Sequence, residues 1–221
     1  MLVNKTEYLT AGVHIGMKTC TPYMKQFVYK IREDGLAVFN IKKVDERIKT
    51  AAYFFSQFNK PLVVTRKDNA FKALKTFGDA VDAKVITGRF HPGTLTNPAF
   101  KEFYEPDAVL VVDPLVDEQV IKEARKKRIP VIALCDTFNE VKNIDFIIPV
   151  NNNGKKALAI VFWIFTKEVL RNKKKIKKDA DFKLKIKDFG DEDESKITKK
   201  SSSKDTEVRR IQSKGKKRQK G

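Results

Sequence analysis

Past residue 35 the chain alternates short runs of Val, Ile and Leu with longer stretches of helical period, and few architectures can absorb that pattern. Residues 36–40, 62–65, 84–87, 108–112 and 130–134 read as strands, with a short further run at 146–148. Residues 44–58, 69–77, 118–127 and 155–171 read as helices. The strands are apolar at consecutive positions rather than alternate ones, so both of their faces must be covered. That requirement predicts an α/β fold in three layers, α/β/α, around a five-stranded parallel sheet. If the strands take the order 2-1-3-4-5, chain order reverses between the strand at residue 36 and the strand at residue 84. Ligands of such sheets gather beyond the carboxyl ends at the reversal.

The strand at 84–87 runs into residues 88–98, GRFHPGTLTNP. Glycine at 88 and 93 and proline at 92 and 98 exclude a regular helix or ladder strand and hold a loop in one shape. Arg89, His91, Thr94, Thr96 and Asn97 make the loop rich in donors, it contains no acid, and Gly93 would let anionic oxygens approach the backbone. The competing reading is a surface turn with polar decoration. The loop's place at the carboxyl end of a strand favours binding.

Charge points the same way. Lys and Arg number 46 against 28 Asp and Glu, a net charge of +18, which calls for a polyanionic partner. The excess is not confined to the end of the chain: residues 171–221 hold 20 basic and 9 acidic residues, and residues 1–170 hold 26 and 19. Cys20 and Cys135 are far apart and lack a CxxC neighbour, so neither a zinc site nor a disulfide framework is indicated and a reducing compartment is expected. No secretory leader is expected, because Met1-Leu2-Val3 gives way at once to polar residues. The longest apolar run, residues 157–165, is too short to span a bilayer.

Before residue 35, Asn4 reads as the N-cap of a short helix with Glu7 as its partner and Gly12 as its stop. Residues 12–34 then break all periodicity, with Lys18, Lys25, Lys30 and Arg32 interleaved with Tyr23, Phe27 and Tyr29. Such a mixture can lie along phosphates and stack on bases. The alternative is that the aromatics are core and the lysines solvated.

A nucleotide-dependent enzyme on this architecture would carry GxGxxG or GxxxxGK[ST] at a strand-to-helix turn, and neither occurs. Arg66-Lys67-Asp68-Asn69 offers positive charge and a cap but no glycine. Asp113 and Asp136 read as turn or helix-entry residues rather than an acid–base pair, and His14 and His91 are the chain's two histidines. No serine sits in a nucleophile elbow. No cofactor, metal site or small-molecule substrate is indicated, and catalysis is not expected.

Four stretches, LTAGVHIG (9–16), GRFHPGTLTNP (88–98), EPDAVLVVDPLVDEQVIKEARKKRIPVIALCDT (105–137) and IIPVNNNGKKALAIVFWIF (147–165), resemble the small-subunit ribosomal protein family called SA in eukaryotes and S-two in bacteria. The likeness runs from about residue 8 to residue 170 and is nearer the archaeal and eukaryotic branch; no heptad run matches the coiled-coil insertion of the bacterial one. It implies a flavodoxin-like fold of strand order 2-1-3-4-5. It also implies a structural role in the cytoplasmic ribosome: binding small-subunit ribosomal RNA near the junction of head and body, beside neighbouring ribosomal proteins, and supporting assembly and translation.

The positions this carries over as RNA-contacting are His14, Lys18, Thr19, Lys25, Lys30 and Arg32, and Arg89, His91, Thr94, Thr96 and Asn97 in the loop. Charge adds Arg66 and, at the start of the tail, Lys173, Lys174 and Lys175. The tail departs from the family, since eukaryotic members tend to end in an acidic extension and residues 171–221 are net basic. The expectation is a folded domain over 1–171 and a disordered basic tail over 172–221. Within it, Phe182, Leu184 and Ile186 could add a strand or lie against RNA, or simply be solvated.

Overall fold

The computed structural model describes residues 2–176 and 181–190. Five parallel strands, β3 (Pro61–Thr65), β4 (Lys84–Thr87), β5 (Ala108–Val111), β6 (Val131–Cys135) and β7 (Phe146–Pro149), form the central sheet in the order β4-β3-β5-β6-β7. Numbered within the sheet this is 2-1-3-4-5, as expected, but the frame is displaced by one strand. Residues 36–40 do not enter the sheet. Instead β2 (Ala37–Phe39) pairs antiparallel with β1 (Val28–Ile31), and its other edge is taken by an antiparallel bridge between Ile15 and Val38. Ala37 and Phe39 are buried while Val38 between them is only partly so, a half-buried alternation that a run of three residues is too short to reveal. The run at 146–148 is thereby promoted to the fifth strand, and the reversal of chain order lies between β3 and β5.

Among the described residues five α-helices accompany the strands: α1 (Lys5–Thr10), α2 (Ile41–Ser56), α3 (Phe71–Val81), α4 (Glu118–Lys127) and α5 (Lys155–Asn172). Asn4 does occupy the N-cap of α1, but its side chain makes no capping bond. Asn40 caps α2, its side chain accepting from the Lys42 N–H, and Val44, Ile48, Ala51, Ala52 and Phe55 then form the apolar stripe that helix buries. Phe55, Phe77, Phe162 and Phe165, one or two from each of α2, α3 and α5, meet at ring separations of 5.5–5.6 Å and lock these helices together on one face. Parallel crossovers are right-handed as a rule, and since α3 leads from β3 to β4 and α4 leads from β5 the opposite way to β6, α4 belongs on the other face. Gly78 lets α3 reach β4, since a Cβ there would lie 2.1 Å from Val85 Cγ2. No helix among the described residues is long and apolar enough to cross a membrane.

The compact unit does not stop near Asn172; it reaches Gly190. Lys173 and Lys174 close α5, the latter in the left-handed region at φ 56°, and turn the chain back. Phe182 then packs edge-on against Trp163, the Trp163 indole donates to the Leu184 carbonyl at 2.9 Å, and Phe189 is 1% exposed at the end of a short 3-10 turn, Ile186–Phe189. The alternation of Phe182, Leu184 and Ile186 with lysines therefore makes neither a strand nor a solvated run here. It docks because α3 and α5 leave an apolar seam, with Trp163 at its rim, that short sequence windows cannot show. The remainder of the expected tail, residues 191–221 with its acidic island and terminal KGKKRQK, lies outside the described residues.

Candidate nucleic-acid interface

At the carboxyl edge β3 delivers Arg66 and Lys67, and β5 delivers Val112 and Asp113. Arg66 is exposed; Lys67 turns inward. Its Nζ lies 2.6 Å from Asp113 Oδ2 and also donates to the Asn152 carbonyl (3.2 Å), Asn152 Oδ1 (3.1 Å) and Asn153 Oδ1 (2.6 Å). Asp113 Oδ1 accepts from Asn139 Nδ2 and the Leu115 N–H, and Asn139 Oδ1 accepts from Asn152 Nδ2 and the Asp136 N–H. Asp136 accepts in turn from the Thr137 N–H and Asn153 Nδ2. The crevice at the reversal, where such sheets hold ligands, is thus filled by the chain's own side chains. Asp113 and Asp136 do serve as turn residues, inside a network that sequence spacing does not disclose. Among the described residues no group of His, Cys, Asp or Glu could hold a metal ion.

Asp117, just before α4, is buried with its Oδ2 unpartnered. Burial, and secondarily the Asp113 carboxylate, push its pKa up to about 7, against the partial opposition of the Arg66 backbone N–H. A carboxyl whose folded pKa exceeds its unfolded value of about 4 keeps a proton in the native state that the unfolded chain has released, so stability falls as pH rises between those values. Asp117→Asn, which stays neutral, is expected to gain about 1–3 kcal/mol on the wild type between pH 4 and pH 8. Urea unfolding of both proteins at the two pH values checks this, and a constant difference between them contradicts it.

The loop at 88–98 is held from within. Gly93 adopts φ 97°, and its N–H donates to Glu123 Oε1 at 2.8 Å; the Leu95 N–H and Thr96 hydroxyl donate to Glu123 Oε2 at 3.1 and 3.3 Å, and Gln119 Nε2 reaches Oε1 at 2.8 Å. Glu123 is buried on α4. The backbone cradle that composition assigned to an external anion is therefore occupied by the protein's own carboxylate. Thr94 is buried and its hydroxyl donates to the His91 carbonyl, so Thr94 and Thr96 face inward. Asn97 is exposed and its Oδ1 accepts from the Ala99 N–H. Arg89 and His91 are exposed, and Arg89 makes no ion pair among the described residues. Since Thr65 pairs with Thr87, the chain leaves the neighbouring strands β3 and β4 at the same level, into Arg66 on one and Gly88-Arg89 on the other.

The N-terminal segment reaches the same edge. The Met17 N–H donates to Thr137 Oγ1, the Thr137 hydroxyl donates to the Thr19 carbonyl, and the Thr21 N–H donates to the Thr137 carbonyl. The approach is close enough that a Cβ on Gly16 would lie 2.5 Å from Thr137 Cγ2. Lys18 and Thr19 are exposed there, joining Arg66, Arg89 and His91 at the carboxyl end. Lys25 is exposed on the 3-10 turn Met24–Phe27, while Lys30 and Arg32 belong to the β1 hairpin, Arg32 pairing with Asp34 at 3.8 Å. Of the interleaved aromatics Phe27 is core and Tyr23 and Tyr29 are exposed, so both readings of that stretch hold in part. Lys173, Lys174 and Lys175 sit at the opposite end of the molecule: α5 starts at the carboxyl edge and its 18 residues carry the chain about 27 Å away. The half-buried Lys173 has its pKa lowered, by burial first and Lys175 second.

Reading residue types missed Glu123 and Lys67, because each looked like an ordinary surface charge on or near a helix. A signal existed for Glu123 alone: it shares the stripe of Val120, Ile121 and Ala124, which α4 buries.

The chain matches the family model described as ribosomal protein S2 over residues 8–103 and 99–171. It is similar to a protein called small ribosomal subunit protein uS2 from Ignicoccus hospitalis, 47% identical over 183 residues, 81% of this chain and 86% of the relative. A protein of the same description from Nanoarchaeum equitans is 44% identical over 199 residues, covering 89% of this chain and 97% of the relative. Another from Saccharolobus solfataricus is 41% identical over 191 residues, 86% and 83% of the two chains. With the matched segments spanning the whole sheet and every loop at its carboxyl edge, the chain belongs to the ribosomal protein S2 family.

Proposed function

We propose that this chain is a structural, non-catalytic constituent of the small ribosomal subunit, working on ribosomes of the cytoplasm and holding ribosomal RNA against the carboxyl edge of its sheet. Family membership supports the subunit assignment, and the resemblance to that family suggests the head–body junction and contact with other ribosomal proteins. The observation that carries the RNA contact is Arg89. It is exposed and without an ion pair among the described residues, on a loop whose shape is fixed by a buried internal carboxylate and so exists before any partner arrives. Lys18 and Arg66 extend the positive surface along the same edge. RNA helices are met chiefly through phosphates and shape, which needs cations at fixed spacing more than base-reading side chains.

Arginine's planar fork holds a phosphate through two charge-assisted bonds that lysine's point charge does not reproduce. Arg89→Lys is therefore expected to weaken incorporation into small subunits by about 1.5–3 kcal/mol, the worth of one charged hydrogen bond. Its melting temperature should match the wild type, because the side chain is exposed and makes no ion pair among the described residues. Subunit occupancy and melting measured on the same variant test this. Normal occupancy removes Arg89 from the interface, and a fall in melting that parallels occupancy makes its role structural.

A further inference from the structure

Away from the carboxyl edge, α1, the His14–Ile15 segment, the β1 hairpin and the start of α2 enclose an open groove of about 680 Å³, within the ~300–1,000 Å³ range of ligand-sized sites. Leu9, Ile15 and Val38 give it apolar walls, and Lys5, Lys30, Arg32 and Lys42 line its rim; no lining residue is acidic. Tyr29 on its margin is 71% exposed, beside Ile31 at 65% on the same short strand, an unusual amount of apolar surface left in water on a hairpin this small. His14 lines the groove as well, and its Nδ1 is a buried ring nitrogen with no partner.

We infer that this groove receives an unstacked nucleotide of single-stranded RNA, with Tyr29 as the stacking platform and the four rim cations on the flanking phosphates. The inference rests on the ribosomal reading above and extends it to a second, chemically different contact. Three observations favour RNA over a peptide. The rim is uniformly cationic, which matches a phosphate backbone carrying a charge at every residue. A flat, exposed aromatic beside apolar walls suits a base face, which every nucleotide offers and a duplex conceals. The wall itself is continuous with the proposed RNA edge: His14 and Ile15 bridge to β2 and lead directly into Lys18 and Thr19 above Thr137.

The full chain is titrated with a single-stranded RNA hexamer carrying 2-aminopurine and with the same sequence in duplex form. The wild type is expected to bind the single strand more tightly and to quench its fluorescence. Tyr29→Ala should lose about 5- to 100-fold in affinity, the range for removing one stacked base, with the slope of log affinity against log salt unchanged. Tyr29→Phe should retain binding, and both variants should melt like the wild type because the side chain is exposed. Tyr29→Ala binding like the wild type, or duplex binding as tightly as the single strand, overturns the groove assignment while leaving the ribosomal RNA reading intact; a wild type that binds neither RNA at low salt overturns both. A photoreactive Tyr29→benzoylphenylalanine chain in purified small subunits should crosslink to an unpaired nucleotide, and a crosslink to a protein instead makes the occupant a peptide and overturns the inference.

Discussion

Lys67→Met is expected to lower the unfolding free energy by about 3–5 kcal/mol, because it leaves the Asp113 carboxylate buried without its counter-charge. Asp113 Oδ2, on a side chain only 2% exposed, loses the ammonium at 2.6 Å, and Asn152 and Asn153 lose a shared donor. With whole domains stable by only about 5–15 kcal/mol, this is a large fraction of what holds the chain folded. Adding Asp113→Asn to Lys67→Met is expected to restore much of the loss, since the amide is neutral and keeps an oxygen for the Asn139 and Leu115 donors. Urea unfolding of wild type, both single variants and the double variant measures the coupling. A loss below about 1 kcal/mol for Lys67→Met would mean that the pair is no better than an exposed one.

Glu123→Ala is expected to cost about 2–4 kcal/mol, from orphaned donors worth roughly 1–3 kcal/mol each less the relief of no longer burying a carboxylate that has no ion pair among the described residues. Gly93 and Leu95 N–H groups, the Thr96 hydroxyl and Gln119 would all lose their acceptor, and the loop carrying Arg89 would lose its fixed shape. Subunit incorporation should therefore fall together with melting temperature, in contrast to Arg89→Lys, where only incorporation falls. Sulfate supplied to the vacated N–H groups should draw the loop back toward its native shape, so it should raise the melting temperature of Glu123→Ala more than that of the wild type. Equal sulfate effects on the two proteins would show that the cradle does not survive without its glutamate.

The anion cradle in the loop was legible from GRFHPGTLTNP; its occupant was not. Loop composition specifies which backbone groups are unpaired, whereas the group that pairs them comes from α4, some thirty residues further on, and is selected by how that helix lies on the sheet. Lys67 behaves likewise: adjacent to Arg66 and indistinguishable from it by type, it points into the crevice while Arg66 points out. Thr96 was read as a donor without its acceptor for the same reason, whereas Thr94 donates within the loop itself, to the His91 carbonyl. Arg89, His91 and Lys18 are exposed on their loops, but that Lys18 shares an edge with the other two follows only from the pairing of its segment with Thr137.

Periodicity determined the α/β class, four of the five helices and the parallel sheet, because continuous Val, Ile and Leu strands have only one way to be covered on both faces, while α1 was marked by its capping residues. The sequence also called for a polyanionic partner, through a charge of +18 spread over body and tail. What the sequence left to the tertiary structure were the long-range pairings. Whether residues 36–40 join the sheet or a hairpin depends on which edge finds a partner, and Ile15 supplies one across more than twenty residues. Whether Phe182 and Phe189 are solvated depends on a seam between α3 and α5 that exists only once those helices are packed. A buried charge such as Glu123 or Asp113 is tolerated only where its partners converge from separate elements, and that convergence is a property of the fold and not of any local stretch of sequence.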